Sequence, residues 1–165
     1  MIEFQASTMK STTASIHEGA IETIPENASK GLLFLKVFLP ILDSLDTQPR
    51  IDPFVTPEAQ FIINGHPPST VEQLVGMFAM RTQLLQKFNH AVSKAWEIPH
   101  ERGCTVIFES ESVSQFKGDE MELRVAELNI WELIHDGEGV LKLEKTKSFM
   151  DPSLVRNRAK EIFSK

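Results

Sequence analysis

The chain of 165 residues contains one cysteine, Cys104, no tyrosine and only two tryptophans. A single thiol closes no intrachain disulfide and builds no cysteine-based zinc site, so a reducing, cytoplasmic setting and a packing role for Cys104 are the simplest expectations. Long apolar runs are missing as well. The richest, Leu32 to Leu42, is roughly half the length of a spanning helix and holds Lys36 and Pro40, so no membrane partner is expected. Met1 to Lys10 lacks the basic start and apolar stretch of a secretory signal. Basic residues are outnumbered, with 17 Lys and Arg against 23 Asp and Glu for a net charge of -6. A broad phosphate-binding face, and with it a nucleic-acid partner, is not expected.

What is present is a composition of 41% hydrophobic residues in a length that suits one domain. Residues 1–26 are rich in Ser, Thr, Ala and Glu without helical or strand periodicity, and are predicted to form a disordered extension. The remainder, 27–165, is predicted to be a single domain. It opens with a helix from about Lys30 to Ser44 that Pro40 should kink or end. A short strand follows over Phe54 to Ile63, bounded by Pro53 and the turn dipeptide Asn64-Gly65. Either Ser69 with Glu72 or Thr70 with Gln73 makes a capping box for a second helix carrying Val71, Leu74, Val75, Phe78 and Leu85. Four strand-like segments come next: Phe88 to Ile98, Thr105 to Phe116, Met121 to Ile134 and Val140 to Phe149. Their tight connections imply an antiparallel meander, and Asp151-Pro152 starts a last helix ending near Phe163. Helices before a long antiparallel sheet define an α+β layout in which helices cover one sheet face.

This order resembles the ketosteroid-isomerase-like and nuclear-transport-factor-2-like superfamily, also called SnoaL-like, from about Gly31 to Val155. Several strings resemble more narrowly the cofactor-free isomerases of fungal meroterpenoid pathways and the semipinacolase-type proteins of fungal alkaloid pathways. They are Arg50-Ile-Asp-Pro-Phe-Val-Thr-Pro-Glu-Ala-Gln-Phe-Ile-Ile-Asn-Gly-His-Pro-Pro, Phe88-Asn-His-Ala-Val-Ser-Lys-Ala-Trp, Thr105-Val-Ile-Phe-Glu-Ser, Asn129-Ile-Trp-Glu-Leu and Phe149-Met-Asp-Pro. The resemblance implies a curved antiparallel sheet forming a conical half-barrel closed by N-terminal helices, a homodimer made through outer sheet faces, and acid–base chemistry without cofactor or metal. It does not imply steroid isomerisation. The position of that family's base falls near Ile63 or Asn64, its second carboxylic acid near Trp131, and without tyrosine there is no phenol to stabilise an oxyanion.

The polar residues on apolar strand faces are the candidates for chemistry. His90 shares parity with Phe88, Val92, Trp96 and Ile98, where an imidazole could move protons near neutral pH; a core histidine satisfied by backbone or water is the competing reading. Glu109 and Glu111 share a face with Ile107 and Val113, and their repulsion could raise one pKa, although a wet strand face explains them equally simply. Glu127, Asn129 and Trp131 have common parity and combine a carboxylate, an amide and an aromatic wall. A one-residue slip would decide whether Glu109 or Phe108 stands beside them. Arg50, between the first helix and first strand, could reach the cavity mouth and hold a developing negative charge, or be an ordinary loop cation. Asn64 and His66 could donate to a substrate carbonyl, though Asn64 also fits a purely structural turn. His135-Asp-Gly-Glu reads as a solvated hairpin and supplies no metal site.

The expectation is therefore an isomerase, cyclase or lyase acting on a hydrophobic polycyclic small molecule. Glu109 or Glu127 would serve as acid or base and His90 as relay, while Arg50 and Asn129 steady negative charge. Phe34, Phe38, Asn64, Trp96, Glu111, Asn129 and Trp131 would bind the substrate in a cavity of about 300 to 1,000 Å³. The alternatives are a non-catalytic ligand-binding or dimerisation module, and a dehydratase or epoxide hydrolase on the same fold.

Overall fold

The computed structural model describes residues 13–164. Among the described residues there are three α-helices and six strands: β1 (Ser15–Glu18), α1 (Lys30–Asp43), β2 (Val55–Ile63), α2 (Val71–Leu84), β3 (Leu85–His100), β4 (Gly103–Phe116), β5 (Leu123–His135), β6 (Leu141–Met150) and α3 (Ser153–Phe163). The strands form one curved sheet in the order β1-β3-β4-β5-β6-β2, antiparallel throughout except where β2 runs parallel to β6. The architecture is α+β, with α1 and α2 against one face of the sheet.

Strand parity decides which side chains enter the space under the helices. On β4 the even positions Val106, Phe108, Ser110, Ser112 and Ser114 are buried while Glu109 and Glu111 are exposed; on β5 the odd positions Leu123 to Leu133 are buried. The register pairs Phe108 with Asn129 and Ser110 with Glu127, so Phe108 is the neighbour of the β5 polar set and Glu109 faces away. The narrow end of the space is filled by aromatic rings. Phe38 stacks on Phe54 at 4.9 Å, and Trp131 receives the edges or faces of Phe34, Phe38 and Phe108 at 6.3, 5.7 and 5.1 Å between centroids.

Helix starts follow their local chemistry. Thr70 and Gln73 complete a reciprocal capping box on α2. At α1, Ser29 makes no side-chain cap; instead the carboxylate of Glu97, far along β3, accepts from the backbone N–H groups of Gly31 at 2.7 Å and Leu32 at 3.1 Å. A buried carboxylate is tolerable there because two orphan donors and the positive end of the helix dipole meet it. Beyond Pro40, α1 continues only three residues, to Asp43.

Two expectations are corrected. Part of the predicted disordered extension is structured: β1 pairs with β3, a 3-10 turn spans Ile21–Thr23, and Ile21 and Ile24 are buried in the core. Their apolar side chains are too few to show periodicity but enough to dock a short segment. Residues 1–12 of that extension lie outside the described residues. On β3 the register shifts between Val92 and Lys94, and this bulge flips the parity of everything after it. Phe88, His90 and Val92 point inward, but Ala95 and Glu97 then take the buried positions, leaving Trp96 half-buried and Ile98 exposed on the other face.

Candidate active site

A cavity of about 170 Å³ lies between α1, α2 and the concave sheet face, lined by Leu39, Leu42, Phe61, Ile63, Leu74, Phe78, Arg81, His90, Phe108, Glu127, Asn129, Trp131, Thr146, Ser148 and Met150. It is smaller than the drug-sized pocket expected from the amino-acid sequence, because the Phe34, Phe38, Phe54 and Trp131 rings plug the narrow end. Ile63 is exposed and Met150 half-buried, so the cavity has an apolar rim.

Its polar wall carries His90 from β3 and Glu127 from β5, and Asp43 at the end of α1 holds His90 from outside the cavity, which makes an Asp43–His90–Glu127 array. Asp43 grips His90 twice: Oδ1 lies 2.5 Å from ring Nδ1, and Oδ2 accepts the His90 backbone N–H at 2.7 Å. On the other side of the ring, Nε2 lies 3.2 Å from Glu127 Oε2 and pairs with it. Only 16% of the His90 side chain and 2% of Glu127 are exposed. Burial drives the imidazole toward neutrality, but hydrogen bonds and charge from Asp43 and Glu127 outweigh it and lift His90 from 6.5 to about 9. Burial likewise raises Glu127, while its contacts with His90, Ser112 and Asn129 pull it below its ordinary value on balance. At neutral pH the array is thus an imidazolium beside a Glu127 carboxylate.

Two further groups complete the wall. Asn129 donates to Ser110 Oγ at 3.2 Å, and its carbonyl accepts from Ser148 at 2.6 Å, which fixes the direction of the amide. Arg81, in the last turn of α2, donates through one terminal nitrogen to the carbonyls of Leu42 at 2.5 Å and Ser44 at 2.7 Å, and its guanidinium lies over the Phe78 and Phe88 rings. Burial lowers the Arg81 pKa while Asp43 opposes that, and the guanidinium stays charged.

The structure brings together His90, Glu127, Asn129 and Trp131 from the sequence-derived set and separates the rest. Glu109 and Glu111 are exposed on the outer sheet face, where Glu111 pairs with Arg124 at 3.3 Å. Arg50 is exposed and does not line the cavity. Trp96 is carried outward by the bulge and sits under Lys94. Phe34 and Phe38 support Trp131 from behind rather than lining the void. Asn64 adopts φ 51° in the turn, and its amide both donates to the Met150 carbonyl at 2.8 Å and receives the Met150 N–H at 2.9 Å, tying β2 to β6. Sequence reasoning did not single out Asp43 or Arg81. Each sits near a helix C-terminus, where sequence pattern reads an acid as a helix end and a cation as a dipole partner. Among the described residues no cluster of three or more His, Cys, Asp or Glu is placed to hold a metal ion.

No protein-family model matches the chain, and no curated protein matches it. Solved structures do. The BvnE pinacolase of Penicillium brevicompactum superposes with a TM-score of 0.61 at 18% identity, over 80% of this chain and 93% of that one. ActVI-ORFA of Streptomyces coelicolor gives 0.59 at 15% identity, over 73% and 94%. Nuclear transport factor 2 of Cryptosporidium parvum gives 0.56 at 12% identity, over 73% and 91%. This is the nuclear-transport-factor-2-like, or ketosteroid-isomerase-like, cone fold. The fold serves enzymes and non-enzymes alike, so the cavity must carry any functional argument. No helix among the described residues is long and apolar enough to cross a membrane.

Proposed function

We propose that the protein is a cofactor-free isomerase or cyclase that rearranges a hydrophobic small molecule, a polycyclic intermediate of fungal specialised metabolism, by acid–base catalysis. The observation that carries this reading is the His90–Glu127 pair in the cavity wall, with Asp43 bonded to His90 from behind. An imidazolium and a carboxylate 3.2 Å apart in one site form an acid and a base of matched proximity. Glu127 takes a proton from the substrate, and His90 supplies one to an oxygen or returns it to carbon. Asp43 and His90 also border a shallow outer cleft with Pro40 and Leu45, which offers the array a proton route to solvent away from the substrate.

A void of 170 Å³ takes the reacting end of such a molecule, while the remaining rings lie across the apolar rim at Ile63 and Met150. The likeness to a pinacolase supports a skeletal rearrangement. The proposed homodimer forms through the outer sheet face, where Leu128 and Phe149 are exposed side by side on β5 and β6.

The small volume favours one second reading, a binding module whose array is structural. Extracts of a source strain lacking the gene, incubated with the purified protein, separate the two. Mass spectrometry should show a new product of unchanged mass that disappears with Glu127→Gln; loss or gain of about 18 mass units would instead indicate dehydration or hydration, and no new product would leave the binding module.

A further inference from the structure

The turn at Asn64-Gly65 fastens the rim of the cavity, and it does so through the Asn64 side chain. β2 ends at Ile63, which pairs with Ser148 of β6. Asn64 continues the pairing beyond the strand. Its backbone N–H donates to the Ser148 carbonyl at 2.9 Å, and its carboxamide stands in for further main chain, donating to the Met150 carbonyl at 2.8 Å and accepting the Met150 N–H at 2.9 Å. Ile63, Ser148 and Met150 all line the cavity, so this clasp holds β2 to β6 at its mouth. The same residue is the one Asn of the chain that is followed by Gly. Asn64 and Gly65 are exposed, the Gly65 N–H has no hydrogen-bond partner among the described residues, and the space where a side chain would stand on Gly65 is open. A backbone nitrogen with no side chain beside it can reach the carboxamide carbon of the preceding residue, the reaction that makes asparagine heat-labile. The two bonds to Met150 hold the carboxamide away from that attack.

We infer that Asn64 is a site of spontaneous deamidation, and that the modification undoes the clasp at the cavity mouth. The Gly65 nitrogen bonds to Asn64 Cγ, the Cγ–Nδ2 bond breaks, and Nδ2 leaves as ammonia with the proton from the Gly65 nitrogen. Water then opens the succinimide ring. Cleavage between Cγ and the Gly65 nitrogen leaves aspartate; cleavage at the main-chain carbonyl leaves isoaspartate, with the chain running through Cγ. Water is consumed, ammonia is released, and nothing is oxidised or reduced. An aspartate at this position sets an acceptor-only oxygen against the Met150 carbonyl where Nδ2 donated. An isoaspartate adds a carbon to the main chain in a turn whose residues sit at φ 51° and 72°. Either product frees the end of β2 from β6. Attack requires the carboxamide to leave Met150 first, so the reaction is tied to local opening of the rim and, once complete, keeps the rim open.

The full chain is incubated at pH 8, either folded or unfolded in guanidinium chloride, and peptide mapping by mass spectrometry follows the exchange of NH2 for OH at Asn64. The folded protein should deamidate about 10-fold or more slowly than the unfolded chain, because two hydrogen bonds must open first. Hydrogen exchange of the Met150 amide then reads the clasp. It should run about 10-fold faster in the modified fraction, separated by ion exchange, and in Asn64→Asp than in the unmodified protein. The amides of Val106 and Phe108, in the buried part of β4, should exchange as before, which distinguishes release of the rim from a general loss of stability. Circular dichroism checks that Asn64→Asp is folded; should it not be, the modified wild-type fraction supplies the comparison. No deamidation in either state, equal rates in both, Met150 exchange unchanged by the modification, or an equal rise at Val106 and Phe108 would each overturn the inference.

Discussion

Removing the proton-binding group at the centre of the array should flatten the dependence of stability on pH. The folded protein binds a proton at His90 more tightly than the unfolded chain does, with a pKa of about 9 against 6.5. Below pH 6.5 both states are protonated and the ion pairs contribute in full. As pH rises through about 9 the folded state also gives up the proton and that contribution is lost, so stability falls across this window. Raising the imidazole from 6.5 to about 9 corresponds to about 3 kcal/mol at roughly 1.4 kcal/mol per pH unit. In a chain of this length that is a fall in Tm of about 6–12 °C. The measurement is chemical or thermal unfolding of the wild type and of His90→Gln between pH 6 and 9. Cys104, pushed up to about 12 by burial and neighbouring carboxylates, adds a loss of its own above pH 9, because the unfolded thiol ionises first; the window therefore stops there. A wild-type curve that is flat over this range, or an equal slope in His90→Gln, would refute the reading of His90 as a buried imidazolium. An NMR titration of the His90 ring gives the same answer by a separate route.

Gly31→Ala places a Cβ 2.7 Å from both Cys104 Sγ and Glu97 Oε2, and the displacement of either should cost about 1–3 kcal/mol in urea unfolding; a neutral result would mean that the α1 start is loosely held. Glu97→Gln should lose about 1 kcal/mol by removing the charge that meets the two helix N–H groups. Native Cys104 should resist alkylation at pH 8 and react once the protein is unfolded, since it is buried and its thiolate is suppressed; labelling of the folded protein at an ordinary thiol rate would contradict its placement. Glu109→Ala should leave both product formation and stability unchanged within about 0.5 kcal/mol, because its side chain faces solvent on the outer sheet.

The fold was legible because its signals are local and repeated. The Thr70 capping box, the turns at Asn64-Gly65 and Lys117-Gly118, and the long alternating runs of β4 and β5 each state their own geometry, and the helices and strands they bound agree with the expected segments within a few residues. The docking of β1 is a different kind of fact. Ile21 and Ile24 are buried by a surface that other elements build, and a short segment of mixed composition carries no trace of that surface.

The same distinction divides the site. Glu127, Asn129 and Trp131 were readable together because an unbroken strand preserves parity over its whole length. His90 was readable for the five residues from Phe88 to Val92 and no further: one extra residue near Ser93 inverts the face, and period-two reasoning carried across the bulge assigns Trp96 and Ile98 to the wrong side. Glu109 fails through register rather than parity, since opposing β4 and β5 positions are set by a hairpin closure the sequence leaves free by one step. Asp43 and Arg81 fail for a third reason. Their partners, His90 on β3 and the Leu42 and Ser44 carbonyls at the end of α1, are separated from them by 37 to 47 residues, and only the packing of helices over the sheet brings them together. The half of the candidate site that lies on one strand could be inferred from alternation; the half that sets Asp43 against His90 and Arg81 against the end of α1 exists only in the tertiary arrangement.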